Sequence, residues 1–301
     1  MRISKSKHPL VFLALLLAVL ATVSAARAGS ILDRLQPIPD ADAFTGEVAK
    51  YNFNGVTVHT YASEEGFHDW SILFETDKEL VLLEPQTMPD SARDFRRYIE
   101  SIGKPLAAIL VSYHGVGPES YPGVPIYASP AAIDFIKGGK AEKVMADFNK
   151  LFPEFDPKII IPTKTLTADA LSFAGLDFRF DFVNNAYPMP GVDVALPRQK
   201  IFYMHMLGGD THSILNSVAD IDVFVAYLQD IKSQDYEIFL CSHHMPETVA
   251  DVDAKIEYLE KVKAIAGKAK TRDEFIAEVK KAAPNLKGEH YLEMTAGNLY
   301  K

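Results

Sequence analysis

The sequence predicts an α/β protein in which two mixed β-sheets pack face to face and carry helices on their outer sides, a four-layer αββα sandwich. Three observations lead to this prediction. Several short runs rich in β-branched and aromatic residues come first, an amphipathic helix follows them, and the same alternation of strands and helices returns in the second half of the chain. Functional residues of such a fold are expected in the loops at one sheet edge.

The first half begins with four predicted antiparallel strands at residues 51–53, 56–61, 71–75 and 80–84. Asn54-Gly55 favours a tight hairpin between the first two. Apolar residues then recur at helical spacing with arginines between them, which predicts an amphipathic helix over residues 91–102. The pattern continues with strands at 107–111 and 126–128 and helices at 130–137 and 141–151.

The second half repeats this character. Its β-like segments are residues 159–161, 166, 171–173, 176–182, 200–204 and 238–241, with Ala174-Gly175 as a tight turn. Its predicted helices are residues 218–232, 249–266 and 272–282. Because no repeat, low-complexity tract or linker interrupts the chain, a single domain is expected over residues 29–301.

The first 28 residues have the pattern of a secretory signal peptide. Basic residues precede an apolar run over residues 10–23, and Ala26-Arg27-Ala28 fits the small-x-small rule of signal peptidase. The apolar run is short for a membrane span, so we expect a periplasmic or secreted protein with no membrane association after cleavage. The alternative is an uncleaved N-terminal anchor.

Charge and cysteine content limit the classes of partner. The chain has 31 basic and 40 acidic residues. Without the four basic residues of the predicted signal, 27 basic and 40 acidic residues remain, and the formal charge is −13. Nucleic acid and anionic lipid are poor partners for such a surface, and a small-molecule ligand or substrate is expected. Cys241 is the only cysteine, so no intramolecular disulfide forms and the apolar core must supply the stability.

Several short segments between residues 44 and 266 resemble one known family. Residues 80–85 end a strand on Glu84, residues 109–112 lead from a strand into a loop, and residues 236–243 end a strand on His243. Residues 123–130 and Asn184-Asn185 add further local similarity. Together they resemble the metallo-β-lactamase superfamily, in which histidines and carboxylates hold one or two zinc ions. The bound water becomes hydroxide and attacks an ester, amide or lactone carbonyl.

Most metal ligands that the resemblance implies are replaced in this sequence. With Ser112 as the anchor, the four ligand positions of the first motif hold Tyr113, Gly115, Gly117 and Pro118. Ala186 stands at the next histidine position, and His205 stands at the position of the bridging aspartate. Only His243 matches the family in residue type. An ordinary two-zinc site is therefore not expected.

A shift of one residue in the first motif leaves a different set of ligands open. His114 then takes the first histidine position and Glu119 the last. A regrouped site of at most one zinc ion would use His114, His205 and His243, with Glu119, Asp210 or His212 as the fourth ligand. Each of these residues also has a structural alternative, such as a loop hydrogen bond for His243 and a turn for Asp210.

Three side chains are candidates for catalysis. Glu119 or Asp210 would accept a proton, and Tyr113 would donate to a substrate carbonyl or fill the volume that the metals vacated. Histidines also cluster in the segments expected at the pocket mouth, whereas His59 and His290 are expected elsewhere. His68 and Trp70 are candidates for a pocket wall; for Trp70 a place in the core is the alternative.

Three functions remain open on these residues. The first is a protein with the family's fold that has lost the two-zinc site and binds a small molecule or runs a divergent reaction in the old pocket. The second is an active metal-dependent hydrolase of ester, lactone or amide bonds with a relocated single-metal site. The third is a scaffold that binds a periplasmic protein, which rests only on the rule that fold does not imply function.

Overall fold

The computed structural model describes residues 31–64, 68–112, 117, 121–151, 158–182 and 191–300. The predicted signal over residues 1–28 lies outside these ranges. The chain divides after Leu35 into two compact units. The described part of the first forms a 3-10 turn, Ile31–Arg34, and the short strand β1, Leu35–Gln36, spans the division. Among the described residues, no helix is both long and apolar enough to cross a membrane.

The first sheet changes from antiparallel to parallel pairing in its middle. Strands β2 to β5 pair antiparallel and β5 to β8 pair parallel, each with the next in chain order. The hairpin predicted at Asn54-Gly55 is present, and both turn residues have positive φ, which suits a tight hairpin turn. The strands are β2 Glu47–Phe53, β3 Val56–Ala62, β4 Trp70–Glu75, β5 Leu80–Leu83, β6 Leu106–Val111, β7 Ile126–Ala128 and β8 Lys164–Thr165.

The second sheet is mixed in a different way. Its strand order is β13-β12-β11-β10-β9, and only β12 and β13 are parallel. The strands are β9 Ala170–Phe173, β10 Leu176–Asp181, β11 Asp193–Leu196, β12 Ile201–Tyr203 and β13 Ile238–Leu240. The prediction of a strand at residues 159–161 is wrong. This apolar run packs Ile160 against the first core, and pairing with β7 begins only at Lys164.

Seven helices are present in the described ranges. They are α1 Pro89–Ile102, α2 Pro130–Lys137, α3 Lys140–Leu151, α4 Val218–Ser233, α5 Val249–Ala266, α6 Arg272–Ala282 and α7 Glu289–Leu299. Capping boxes at Ser217 and Thr248 begin α4 and α5, whose starts agree with the helices predicted at residues 218 and 249. The sequence did not predict α7, which begins after Gly288 in a left-handed conformation without a side-chain cap.

Two helix-covered cores and a layer between the sheets confirm the predicted αββα sandwich. On the first sheet, Phe95 of α1 and Ile133 of α2 pack with strand residues such as Leu82. On the second sheet, residues of α4 to α7 pack on the outer face of β12 and β13. Between the sheets, Phe74 meets Phe178 edge to face at 5.5 Å. This layering brings the ends of β12 and β13 to one edge of the sandwich.

Candidate functional site

His205 and His243 meet at the edge where β12 and β13 end. The two strands are parallel neighbours, so the residues that follow them leave the sheet on the same side. The backbone N–H of Ser242 donates to the carbonyl of His205 at 3.1 Å and holds the two loops together. The Nε2 atoms of the two histidines are 3.3 Å apart, and their rings are nearly perpendicular, at 84°. Two of the three predicted metal ligands are therefore brought together; their role as ligands stays a prediction.

The ring of His205 is held from behind by polar side chains. It is 2% exposed, and its Nδ1 lies 3.4 Å from the hydroxyl of Tyr203. That hydroxyl also contacts Oγ of Ser242 at 2.8 Å. Tyr203 is the last residue of β12 and is fully buried. Its contact with Nδ1 of His205 therefore fixes the direction in which Nε2 of His205 points.

Asp69 approaches His243 from the other sheet, and the sequence analysis missed it. Its Oδ1 lies 3.8 Å from Nδ1 of His243. The hydroxyl of Thr87 donates to the other carboxylate oxygen, and Nε2 of Gln86 donates to the Asp69 carbonyl at 3.0 Å. The backbone N–H of Trp70 donates to the carbonyl of Ser242 at 2.7 Å, which joins the start of β4 to the loop after β13. At 3.8 Å the carboxylate and the imidazole are near neighbours without a direct hydrogen bond between them.

Gly117 stands where the resemblance places an aspartate, and the structure has no room for a side chain there. Its φ is +88°, and a Cβ would lie 2.0 Å from the carbonyl oxygen of Gln86. The backbone of Gly117 therefore packs directly on Gln86, which follows β5. No carboxylate can project from this position without moving one of the two loops.

Other predicted site residues lie outside the described ranges. They are the metal-ligand candidate His114, the catalytic candidates Tyr113 and Glu119, and the replaced positions Gly115, Pro118 and Ala186. Their roles stay predictions.

Asp210 takes part in a second polar cluster instead of facing His205. Its Oδ1 lies 2.8 Å from Nε2 of His244, and its Oδ2 lies 3.0 Å from Nζ of Lys287. The hydrogen bond from His244 and the charge of Lys287 hold the pKa of Asp210 well below its usual value. For His244, burial opposes the charged form, but Asp210 and Glu247 outweigh it and raise the pKa. The cluster stabilises a His244–Asp210 ion pair, so Asp210 is engaged by another partner.

His212, the other candidate for a fourth ligand, points into the helix layer. Its Nδ1 contacts the hydroxyl of Tyr258 on α5 at 2.9 Å, and the ring is buried. Burial, and then the charge of Lys255, lower the pKa of His212 to about 4. The imidazole is neutral at pH 7 and holds α5 against the loop after β12.

His290 lies on the first turn of α7, whose start is joined to the loop after β12 by the backbone hydrogen bond from His212 to Lys287. Burial lowers its pKa, and the nearby charges of His243 and His68 lower it further. Its neighbour Tyr291 contacts it with tilted rings, whose centroids are 3.9 Å apart and whose planes are inclined by 53°. Both belong to the first turn of α7, the helix that the sequence did not predict.

Solved structures share this arrangement of layers at low sequence identity. A metallo-β-lactamase family protein from Thermus thermophilus superposes with a TM-score of 0.59 at 11% identity, over 81% of this chain and 91% of that one. A stereoselective inverting sec-alkylsulfatase from Pseudomonas sp. gives 0.58 at 15% identity, over 84% of this chain. The match covers 48% of the alkylsulfatase, so this chain spans about half of its length. A metallo-β-lactamase from Erythrobacter litoralis gives 0.50 at 15% identity, over 75% of this chain and 99% of that one.

The chain has the metallo-β-lactamase fold. No protein-family model matches the sequence. No curated protein matches it either. The likeness therefore rests on the tertiary structure.

The side chains at the pocket fit the two zinc ions of this fold poorly. In the parts of the chain that the structure describes, no group of three or more His, Cys, Asp and Glu side chains is arranged to hold a metal ion. Two ligand positions of the family lie within the described residues and hold other residue types in this chain. His205 stands in place of a carboxylate, and Gly117 stands in place of an aspartate. The pair of His205 and His243 fits a single ion better. Two nitrogens bound to one tetrahedral zinc at about 2.05 Å are about 3.3 Å apart, and the two Nε2 atoms have this separation.

Proposed function

We propose that this metallo-β-lactamase-fold protein binds a small molecule in the pocket at His205 and His243 and does so without a two-zinc centre. The single observation that carries the proposal is the buried imidazole of His205 at the end of β12, locked by Tyr203. The resemblance places a carboxylate that bridges two ions at this position. A neutral imidazole has one lone pair in the plane of its ring, so it binds one ion where a carboxylate can bind two.

The close packing at Gly117 supports the same proposal. A lost ligand could be compensated by a shifted neighbour if the loop were loosely packed. Here the backbone of Gly117 lies against the carbonyl of Gln86 and leaves no space for a replacement side chain. Two of the family's metal-ligand positions therefore hold residues that cannot replace the usual ligands. His205 cannot bridge two ions, and Gly117 has no side chain to bind one.

The remaining polar groups suit recognition of a small organic molecule. The Nε2 atoms of His205 and His243 lie 3.3 Å apart, and the carboxylate of Asp69 lies 3.8 Å from Nδ1 of His243. Imidazoles in this arrangement donate to, or accept from, a carbonyl, ester or carboxylate group of a ligand. The excess of acidic residues disfavours polyanionic ligands and nucleic acid.

The spacing of the two Nε2 atoms favours a second candidate, a hydrolase with one metal ion. His205 and His243 would hold the ion, and the hydroxyl of Tyr203 would support the ring of His205 at Nδ1. When bound, one zinc ion supplies Lewis-acid polarisation of an ester, lactone or amide carbonyl. Glu119 stays the proposed proton acceptor, since Asp210 is paired with His244. Because the alkylsulfatase is a structural neighbour, secondary alkyl sulfates belong in the substrate panel.

Metal content decides between these possibilities and the ordinary chemistry of the fold. The protein is purified without a His-tag and analysed by inductively coupled plasma mass spectrometry, and we expect at most one ion per chain. Two tightly bound ions per chain would contradict the proposal. If one ion is present, His205→Ala and His243→Ala each lose it, whereas His212→Gln, a matched change on the helix side, retains it. An ion that survives both alanine changes would exclude the single-metal candidate.

Ligand binding is tested directly on the same protein. Native mass spectrometry of gently purified protein searches for a co-purified molecule, and thermal shift assays screen carboxylic acids, esters, lactones and alkyl sulfates. We expect at least one of these classes to stabilise the wild-type chain and to lose this effect in His243→Ala. No stabilisation by any class, together with no co-purified molecule, would count against a pocket for small molecules.

The location of the protein is part of the proposal. A periplasmic or secreted protein would lose residues 1–28, and N-terminal sequencing of the mature chain reports the cleavage site. Recovery of the full-length chain in the membrane fraction would instead favour the N-terminal anchor.

A further inference from the structure

A groove with polar walls lies where hairpin turns of the two sheets meet. It is bounded by the β2–β3 turn at Gly55, the β4–β5 turn at Thr76 and Asp77, and the β9–β10 turn at Gly175. Its volume is about 420 Å³, which lies within the usual range for small-molecule sites. A Cβ at Gly55 or at Gly175 would meet no atom within 4 Å, so these two turns leave the groove open.

The groove is separate from the candidate site at His205 and His243. Strand β4 begins at Trp70, whose backbone N–H donates to the carbonyl of Ser242, and it ends at Glu75, which lines the groove. A strand of six residues spans about 17 Å. A small molecule bound in the groove therefore lies at the far end of β4 from the two histidines.

Two ammonium groups converge on the carboxylate of Glu75 in the wall of the groove. Nζ of Lys104 donates to Oε1 at 2.6 Å and to the carbonyl of Thr76 at 2.7 Å. Nζ of Lys50 lies 3.3 Å from Oε2, and Nε2 of His59 donates to the same oxygen at 2.8 Å. Glu75 therefore holds both lysines in place.

The two lysines keep hydrogen-bonding capacity for a further acceptor. An ammonium group has three N–H donors. In the described part of the chain, Lys104 has two oxygen partners and Lys50 has one. Their side chains are 28% and 33% exposed, so both ammonium groups are only partly hydrated. An oxygen of a bound molecule can complete them with charge-assisted hydrogen bonds.

The charge of this wall is positive overall. Burial opposes ionisation of Glu75, but the hydrogen bonds from Lys104 and His59 outweigh it and lower its pKa to about 2. Burial lowers the pKa of His59, so its ring is neutral at pH 7. Two ammonium groups and one carboxylate therefore leave one positive charge. Asp77 is exposed at the rim and disfavours a ligand with more than one negative charge.

We propose that this groove is a second binding site and that Lys50 and Lys104 hold the carboxylate of a small monocarboxylic acid there. One carboxylate neutralises the excess positive charge, and its two oxygens accept from the two ammonium groups. A phosphate monoester carries about 1.5 to 2 negative charges at pH 7 and suits the site less well beside Asp77. The proposal does not depend on the function proposed for the pocket at His205 and His243.

Nuclear magnetic resonance locates the binding. Butyrate is titrated into the isotope-labelled protein at constant pH, and sodium chloride of the same ionic strength is the control. We expect saturable shifts of the backbone amides of Gly55, Asp77 and Gly175 with butyrate but not with chloride. No saturable shift at these turns would overturn the proposal. Inorganic phosphate is the second arm, and tighter binding of phosphate than of butyrate would reject carboxylate as the ligand class.

Three variants test the roles of the charged side chains. Lys50→Met keeps the length of the side chain without its charge, and it should weaken butyrate binding severalfold. Glu75→Gln removes the negative charge that competes with the ligand, and it should tighten binding severalfold. Lys78→Met removes an exposed lysine of the β4–β5 turn that does not line the groove, and it should leave the affinity unchanged. Equal affinities in all four proteins would refute the site.

Two further variants keep the test decisive. Circular dichroism establishes that each variant is folded, and Lys104→Met replaces Glu75→Gln if that change prevents folding. Like Lys50→Met, it should weaken binding. His243→Ala separates the groove from the candidate site, which is proposed to bind small organic molecules as well. The shifts at Gly55 and Gly175 should persist in this variant, and their loss would place the binding at His243 and contradict a second site.

Discussion

Asp193 lies directly opposite Asp181 across the antiparallel strands β10 and β11, and both carboxylates contact the same phenol. The hydroxyl of Tyr227 is 2.6 Å from Oδ2 of Asp193 and 3.1 Å from Oδ2 of Asp181. One hydroxyl proton cannot serve two carboxylates at once. Burial raises the pKa of Asp193 to about 7, and the charge of Asp181 adds to the effect. A protonated Asp193 can donate to Tyr227, which then donates to Asp181.

This arrangement predicts that stability falls as the pH rises toward neutrality. An acid whose pKa is higher in the folded than in the unfolded chain contributes stability that is complete below about pH 4. The contribution is lost as the pH passes through about 7. Asp193→Asn carries no titrating proton, so its free energy of unfolding should lack this decline, a difference on the order of 3 kcal/mol between pH 4 and pH 8. Urea unfolding at several pH values measures it, and parallel curves for the two proteins would contradict the shared-proton arrangement.

A second prediction concerns Glu75, which has the opposite dependence on pH. Its carboxylate accepts from Nζ of Lys104 at 2.6 Å and from Nε2 of His59 at 2.8 Å. Burial opposes ionisation, but these hydrogen bonds and the charge of Lys50 outweigh it and lower the pKa of Glu75 to about 2. The contribution to stability is present above about pH 4.5 and is lost as the pH falls toward 2.

Glu75→Gln should therefore destabilise the protein at pH 7 by about 1–3 kcal/mol and much less at pH 3. The exposed neighbour Asp77 provides the control, since Asp77→Asn should change stability little at either pH. Thermal melts at the two pH values compare the variants. The arrangement is wrong if Glu75→Gln has the same cost at both.

A third prediction separates backbone strain from steric overlap at Gly117. Gly117 and Gly123 have similar positive φ values, +88° and +85°, but a Cβ at Gly123 meets no atom within 4 Å. An alanine at either position meets a left-handed backbone penalty of about 1–2 kcal/mol. Gly117→Ala also overlaps the Gln86 carbonyl and should cost at least about 2 kcal/mol more. Equal losses in chemical denaturation would show that the loop at Gly117 can move aside and accept a side chain.

A fourth prediction concerns the attachment of α7. Thr295→Val removes the hydroxyl that links the helix to Ser213 and Leu215 and leaves two buried backbone groups without this partner. The cost should be about 2–3 kcal/mol, with faster amide hydrogen exchange over α7. Thr295→Ser keeps the hydroxyl and loses only a methyl group, so exchange in α7 should stay near the wild-type rate. Equal protection in all three proteins would mean that apolar packing alone holds the helix.

The sequence predicted the strands and helices whose patterns are local. Alternating and apolar runs identified the strands β2 to β7 of the first sheet, and helical spacing identified α4 and α5. Residues 159–161 failed as a strand because an apolar run serves equally well for packing against a core. The helix α7 was missed because it begins at Gly288 without a capping side chain and contains Gly297 near its end.

For the candidate site, sequence and tertiary structure determined different parts. The sequence by itself placed His205 and His243 after two predicted strands and fixed the residue types that replace the family's ligands. Only the tertiary structure brought Asp69 to His243 and paired Asp210 with His244. Each of these contacts joins segments far apart in the chain. Their geometry depends on how the sheets and helices pack, which a local pattern of residues does not encode.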